Sequence, residues 1–209
     1  MPQLVLTTSS RYNRDIKIIR ELGGYKLLVN GSRQSGPYIR KLWERALHTF
    51  RLYAYPEMNT ILVLGMGGGT VIDLLAKRFP HASITSVDID PTIILIAKQY
   101  FGIGKHLNVR LMHADARLFV KLCIKKAQVF DIIVIDLFIG RDIPEFVGTS
   151  EFYQSVKQTL KPKGTVILNY LREFEYQKKS DMLFLMLKRL FPTVHDFASA
   201  NNRFFFLQR

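Results

Sequence analysis

The sequence predicts an α/β fold: a mostly parallel sheet with helices on both faces, an antiparallel closing strand, and a small N-terminal β-sheet ahead of it. Three observations predict this. The apolar run Ile61–Leu64 ends in a glycine-rich turn, Gly65-Met66-Gly67-Gly68-Gly69-Thr70, and helical apolar spacing follows at Val71, Ile72, Leu74 and Leu75. A second apolar run ends in an acid, Val87-Asp88. Beyond it, short β-branched runs alternate with helical runs, the pattern of strands that pair in parallel through helical crossovers.

The elements follow in order. Residues 1–8 read as a loose arm. Asp15 to Ile19 reads as a strand, Gly23-Gly24 as a turn, and Tyr25–Val29 as the returning strand; Asn30-Gly31 is a second turn signal leading into Ser32–Ser35. Tyr38 to Tyr53 has helical spacing through Ile39, Leu42, Trp43, Ala46, Leu47 and Phe50, and Pro56 ends it. Ile61–Leu64 is a strand, Thr70–Phe79 a helix stopped by Pro80, and Ser83–Val87 a strand. Pro91 opens the next helix, a place where proline loses no hydrogen bond, and that helix runs to about Tyr100. Val109–His113 is a strand, Ala116–Lys125 a helix, and Phe130–Ile135 a buried strand. Glu151–Leu160 is a helix, Lys161-Pro162-Lys163-Gly164 a turn, Thr165–Tyr170 a strand, and Ser180–Phe191 a helix. Val194–Ala198 and Arg203–Leu207 form a closing pair.

Composition bounds the function. The chain has 209 residues, enough for one α/β domain and a small appendage, and 48% hydrophobic content marks it as globular. No apolar run approaches the ~20 residues of a membrane span, so no membrane role is expected. The first six residues are too short and uncharged for a secretory signal, and Cys123 is the only cysteine; there is no disulfide framework, no metal is expected, and a cytoplasmic location fits. The net charge is +13, with ten basic and four acidic residues among the first 59. Such a field attracts anions. Nucleic acid is one such partner, but no nucleic-acid-binding motif accompanies the charge; a solvated basic surface explains it as well.

Strand, glycine turn, helix, strand and acid is the unit that binds a nucleoside at the carboxyl end of a parallel sheet. Gly65 permits the tight turn, Gly67 and Gly69 let a ligand approach the backbone, and Asp88 is placed to accept from two ribose hydroxyls. A nicotinamide dehydrogenase shares this local pattern.

Further segments separate the two. Ser10-Arg11-Tyr12-Asn13-Arg14-Asp15-Ile16, Leu28-Val29-Asn30-Gly31-Ser32-Arg33-Gln34, the Gly65–Thr70 loop, Val87-Asp88-Ile89-Asp90, His113-Ala114-Asp115-Ala116, the strand ending at Asp136, and Leu160-Lys161-Pro162-Lys163-Gly164 occur in that order. Together they resemble the spermidine synthase-like branch of the class I S-adenosylmethionine-dependent methyltransferase superfamily, over nearly the whole chain. The resemblance implies a Rossmann-like class I methyltransferase sheet in residues 51–209 and a small N-terminal β-hairpin region plus linking helix in residues 1–50. It implies S-adenosylmethionine or its decarboxylated form as cofactor, a small-molecule acceptor and a homodimer. It gives Gly65, Gly67 and Gly69 to the cofactor's tail, Asp88 and Ile89 to the ribose segment, Asp115 and the Ala116 backbone N–H to adenine, and Asp136 to the attacking nucleophile. Asn13 and Gln34 close the pocket from above. Asp90 and Asp131 read as capping or structural residues, Asp115 has a capping alternative, and His113 reads as a core histidine.

The chain departs from the polyamine pattern at several acids. Gly68 stands where the family has Asp in its glycine loop, Ile139 replaces the second acid of the catalytic strand, and Pro37, Tyr38, Arg40 and Lys41 occupy the place of an acidic pair. Trp43 takes the place of the family's Tyr clamp. An ammonium buried without an anionic partner costs several kcal/mol. These losses favour methyl or alkyl transfer to a neutral or anionic acceptor, in a pocket made apolar by Leu137, Phe138 and Ile139. Gly68 then suits a donor with an intact carboxylate, held by backbone N–H groups. The alternatives are a polyamine aminopropyltransferase and a non-catalytic nucleoside- or RNA-binding protein.

Overall fold

The structure is a computed structural model and describes residues 1–55 and 58–209; Pro56, the expected helix stop, lies outside the described residues. The first sheet is antiparallel and runs in the order β1 (Gln3–Thr8), β2 (Ile16–Glu21), β3 (Gly24–Val29), β4 (Ser32–Ser35). Residues 1–8 are therefore not a loose arm. They pair with β2 from Gln3↔Arg20 to Thr8↔Ile16, with a register shift between Leu4 and Leu6. Asn30 and Gly31 both take positive φ, 48° and 78°, the two-residue hairpin geometry that Asn-Gly favours. Ile16, Ile18, Leu27 and Val29 turn inward and bury against Ile93 and Ile96 of the helix α3 (Pro91–Phe101).

The helix α1 (Pro37–Thr49) follows, shorter than the spacing to Tyr53 suggests, with a 3-10 turn at Leu52–Ala54 completing the segment. Its buried face is Leu42, Trp43, Ala46 and Leu47. That face packs in one cluster with Ile61 and Val63 of β5 (Thr60–Leu64) and with Phe204 of β11 (Asn202–Gln208). A division of the chain at residue 50 thus cuts through a shared hydrophobic cluster.

The second sheet has seven strands. With β6 (Ser83–Asp88), β7 (Val109–His113), β8 (Phe130–Ile135), β9 (Leu160–Leu171) and β10 (Thr193–Ser199), the order is β10-β11-β9-β8-β5-β6-β7. The five strands β9, β8, β5, β6 and β7 run parallel, and β11 pairs antiparallel with both β9 and β10. Helices α2 (Thr70–Arg78), α4 (Ala116–Lys125), α5 (Ser150–Gln158) and α6 (Glu175–Leu190) supply the crossovers and the cover. This is the α/β fold with an antiparallel closing strand that the sequence predicts. Chain order reverses between β5 and β8, which opens a crevice at the carboxyl ends of the strands.

The largest remaining boundary differences lie in the C-terminal half. Strand β9 begins at Leu160, and Lys161–Gly164 bulge out of it, because the register jumps from Phe130↔Leu160 to Ile132↔Thr165. Helix α5 therefore ends at Gln158, before Leu160. Helix α6 starts at Glu175 instead of Ser180, through a polar stretch in which Tyr176 alone is buried. No helix among the described residues is long and apolar enough to cross a membrane.

Candidate functional site

Two backbone hydrogen bonds close the sheet at the crevice. Gly65 N–H donates to Val87 O, and Asp136 N–H to Leu64 O, each at 2.8 Å. Strands β6 and β8 thereby present Asp88 and Asp136 on either side of the glycine turn. Gly65 has φ +88°, and a Cβ there would lie 2.1 Å from the Asp136 carbonyl oxygen, so only glycine fits. The cleft that results is lined by Gly65, Gly67, Asp88, Ile89, Asp115 and Ala116 on its sheet side. Asn13 and Gln34 reach it from the N-terminal sheet, and Asp136 borders it from β8. Nine of the ten candidate residues thus converge.

Gly69 does not. It lies outside the cleft, caps α2 at φ +82°, and a Cβ on it would strike Ile103 Cγ1 at 2.2 Å. Its glycine is required by the turn and by Ile103. Gly69→Ala is expected to cost about 2 kcal/mol in chemical denaturation while leaving the nucleoside affinity of the folded protein unchanged. A loss of affinity without a loss of stability would return Gly69 to the ligand site.

Asp88 is half-buried and holds the glycine loop. Its Oδ2 accepts from Met66 N–H and its Oδ1 from Asp90 N–H, both at 2.9 Å. Burial pushes its carboxyl up to about 6, the Asp90 and Met66 N–H groups pull down, and the Asp90 charge adds to the rise. Each Asp88 oxygen has a second lone pair, so ribose hydroxyls can be accepted without breaking these bonds. Asp90, 1% exposed, is structural as expected. It caps α3 through Thr92 N–H and accepts from Ser10 Oγ and from Asn13 Nδ2. Asn13 is therefore the latch that ties the N-terminal segment to β6 as well as a lining residue. Gln34 performs a similar tie, donating from Nε2 to Gly140 O at 2.5 Å. Asp115 caps α4, its Oδ1 accepting from Leu118 N–H, and it lines the cleft beside Ala116.

Asp136 stands where the cleft meets a second cavity, and Gln34 and Phe138 line both as well. Asn169 Nδ2 donates to Asp136 Oδ1 at 2.8 Å, and Asn202 Nδ2 donates to Asn169 Oδ1 at 2.9 Å. Burial pushes the Asp136 carboxyl up to about 6, opposed by the Asn169 amide and the Trp43 indole and reinforced by the Asp88 charge. A carboxyl poised there is ionised at neutral pH and is a stronger base than an ordinary aspartate. Asn169 and Asn202 are absent from the sequence-based candidates. The one available signal is the isolated polar Asn169 at the end of the apolar run Val166-Ile167-Leu168.

Other expectations need correction. Trp43 is 1% exposed, packs edge-on against Phe204 at 5.1 Å, and is no substrate clamp; Tyr38 lines the second cavity instead. His113 is exposed on the edge strand β7, with Nε2 3.0 Å from Ile89 O, so it is not a core histidine. Leu137 and Ile139 line the cleft, not the second cavity, which is polar and carries Arg33, Arg141, Asn169, Asn202 and Glu173. The Gly68 N–H is not open to a carboxylate, because it donates to Ser35 Oγ at 2.7 Å. Asp131 is structural, as expected: Asn59 N–H, the Thr60 N–H and hydroxyl, and Lys161 all donate to it. Burial alone would raise that carboxyl, and these donors hold it below its ordinary value. Among the described residues, no three His, Cys, Asp or Glu side chains gather as a metal-ligand set.

Asp88 and Asp115 line the cleft together with Val87, Ile89 and Ile93, so it offers acceptors for hydroxyl and amino groups beside apolar surface, a combination that suits a nucleoside. Residues 41–198 match the family model described as the spermine/spermidine synthase domain. A polyamine aminopropyltransferase of Vibrio vulnificus is 38% identical over 114 residues, 54% of this chain and 38% of that protein. A Drosophila melanogaster homolog of eEF1A lysine and N-terminal methyltransferase is 31% identical over 141 residues, 64% of this chain and 20% of that protein. The matches thus span about two fifths and one fifth of these relatives. The crystal structure of a probable spermidine synthase from Corynebacterium glutamicum superposes with TM-score 0.81 at 19% identity, over 99% of this chain and 80% of the other, and shows the same fold. The family model covers most of the chain, and the chain belongs to the spermine/spermidine synthase domain family.

Proposed function

We infer that the chain transfers a methyl or related alkyl group from S-adenosylmethionine to a neutral or anionic small-molecule acceptor. One observation carries this reading: of the acids the polyamine pattern requires, only Asp136 stands at the junction of the two cavities. Ile139 occupies the place of the second acid. An acid at Gly68 is excluded sterically, since a Cβ there would lie 2.7 Å from Ser35 Cβ and 3.1 Å from Phe101 Cδ1.

When bound, the sulfonium supplies an activated alkyl carbon. The protein's part is to orient and to desolvate. Asp88 and Asp115 accept from sugar and base. Asn13 and Gln34, latched to Asp90 and to Gly140 O, cover the cleft and exclude water. Asp136 takes the proton of the nucleophile, held in one rotamer by Asn169. Calorimetric titration tests the donor. S-adenosylmethionine is expected to bind at least tenfold tighter than its decarboxylated analogue; the reverse order would sink the methyl reading.

A second reading, aminopropyl transfer, is favoured by the 38% identity to a polyamine aminopropyltransferase. It predicts putrescine-dependent release of methylthioadenosine, which mass spectrometry of the products would detect.

A further inference from the structure

The second cavity is lined by charges of both signs. Asp136 is one of them, tied through Asn169 to Asn202. Two arginines line it as well, each stacked on an aromatic ring: Arg33 over Tyr38 at 5.1 Å and Arg141 over Phe174 at 5.5 Å. Their electrostatic situations differ. Arg141 is ion-paired with Glu173, which lines the cavity too, so its charge is already answered. Arg33 forms no ion pair among the described residues and is exposed. A ring under the face of a guanidinium fixes its plane and leaves its N–H edge for a second partner, and that edge matches the two oxygens of a carboxylate or phosphate.

We propose that this cavity takes an acceptor with the nucleophile at one end and an oxyanion at the other, the oxyanion held by Arg33. The proposal rests on Asp136 being the base of the transfer reaction, and it narrows the acceptor from neutral or anionic to anion-tailed. A diamine bound the same way would set its far ammonium against Arg33, with no unpaired carboxylate lining the cavity except Asp136 itself. The oxyanion is a carboxylate or a phosphate, and the two make the same contact.

Three probes of similar length separate the cases: 4-aminobutanoate, phosphoethanolamine and putrescine, each titrated by calorimetry into the protein with and without saturating S-adenosylhomocysteine. At least one of the two anionic probes is expected to bind fivefold or more tighter than putrescine, and the tighter of them identifies the oxyanion. Arg33→Gln is expected to erase the preference and Arg33→Glu to invert it. Neither anion binding more tightly than putrescine, no binding by any probe, or a preference unchanged in both variants would overturn the proposal. Titration of S-adenosylhomocysteine alone reports on the donor reading, and the probe titrations without it keep the two failures distinct.

Discussion

Asp136→Asn is expected to lower turnover by about a thousandfold while making the protein more stable at neutral pH. The activity loss follows from position. Asp136 is the carboxylate shared by the cleft and the second cavity, and removal of a general base typically costs 10²–10⁴-fold. The stability gain follows from burial. The carboxyl is raised from 3.8 to about 6, so above pH 6 the fold carries a charge that it would shed in an apolar setting. Between about pH 4 and pH 6 the folded protein binds more protons here than the unfolded chain, so stability falls as pH rises through that window and stays low above it. An amide removes this penalty, worth about 3 kcal/mol. Its oxygen can keep the bond from Asn169, since an amide oxygen accepts as a carboxylate does, while the Trp43 indole, the second donor to this carboxyl, is less well answered and trims the gain. Two measurements check this. Release of the thioether by-product reports turnover, which in the wild type should rise with pH through about 6. Denaturation at pH 4 and pH 8 reports stability, and the variant should be favoured at pH 8. Unchanged turnover would remove Asp136 from the chemistry.

The cleft was legible because its parts are written as local patterns. A glycine turn between an apolar strand and a helix, and an acid at the end of the next strand, point to Gly65 and Asp88 before any tertiary contact is known; Asp115 and Asp136 enter through the family resemblance. What escaped depends on contacts between distant segments. The strand at residues 3–8 needs β2 as a partner, and its own residues give no sign of that pairing. Trp43 sits at the spacing expected of a clamp, yet Phe204, 161 positions later, draws it into the core. Ser35 reaches the Gly68 N–H only because the N-terminal sheet folds over the glycine loop. Asn169 and Asn202 acquire meaning through the antiparallel register of β9 and β11, which aligns Asn202 with Leu171. The N-terminal sheet is thus a working part of the cleft, not an attachment to it.

The same substitution at the other raised carboxyl, Asp88, is expected to behave differently. Asp88→Asn also removes a carboxyl raised to about 6, and charge alone would predict a similar gain in stability. Geometry forbids it. Both Asp88 oxygens accept from backbone N–H groups, Oδ2 from Met66 and Oδ1 from Asp90. An amide has one oxygen, so its NH₂ must face one of these donors, and a buried N–H left unpaired costs about 1–3 kcal/mol. That cost offsets most of the gain from losing the charge, and the net change in denaturation is expected within about 2 kcal/mol of zero. The damage appears in binding. The Met66 N–H belongs to the turn that carries Gly65 and Gly67, so a rotated amide both loosens the loop and presents a donor to the ribose hydroxyls. Affinity for S-adenosylhomocysteine is expected to fall by about a hundredfold, that is, by about 2.7 kcal/mol. Calorimetry on the two variants side by side separates the causes. If Asp88→Asn stabilised the protein as much as Asp136→Asn and left the thioether affinity intact, then Asp88 would not hold the loop, and the nucleoside would have to lie elsewhere in the cleft.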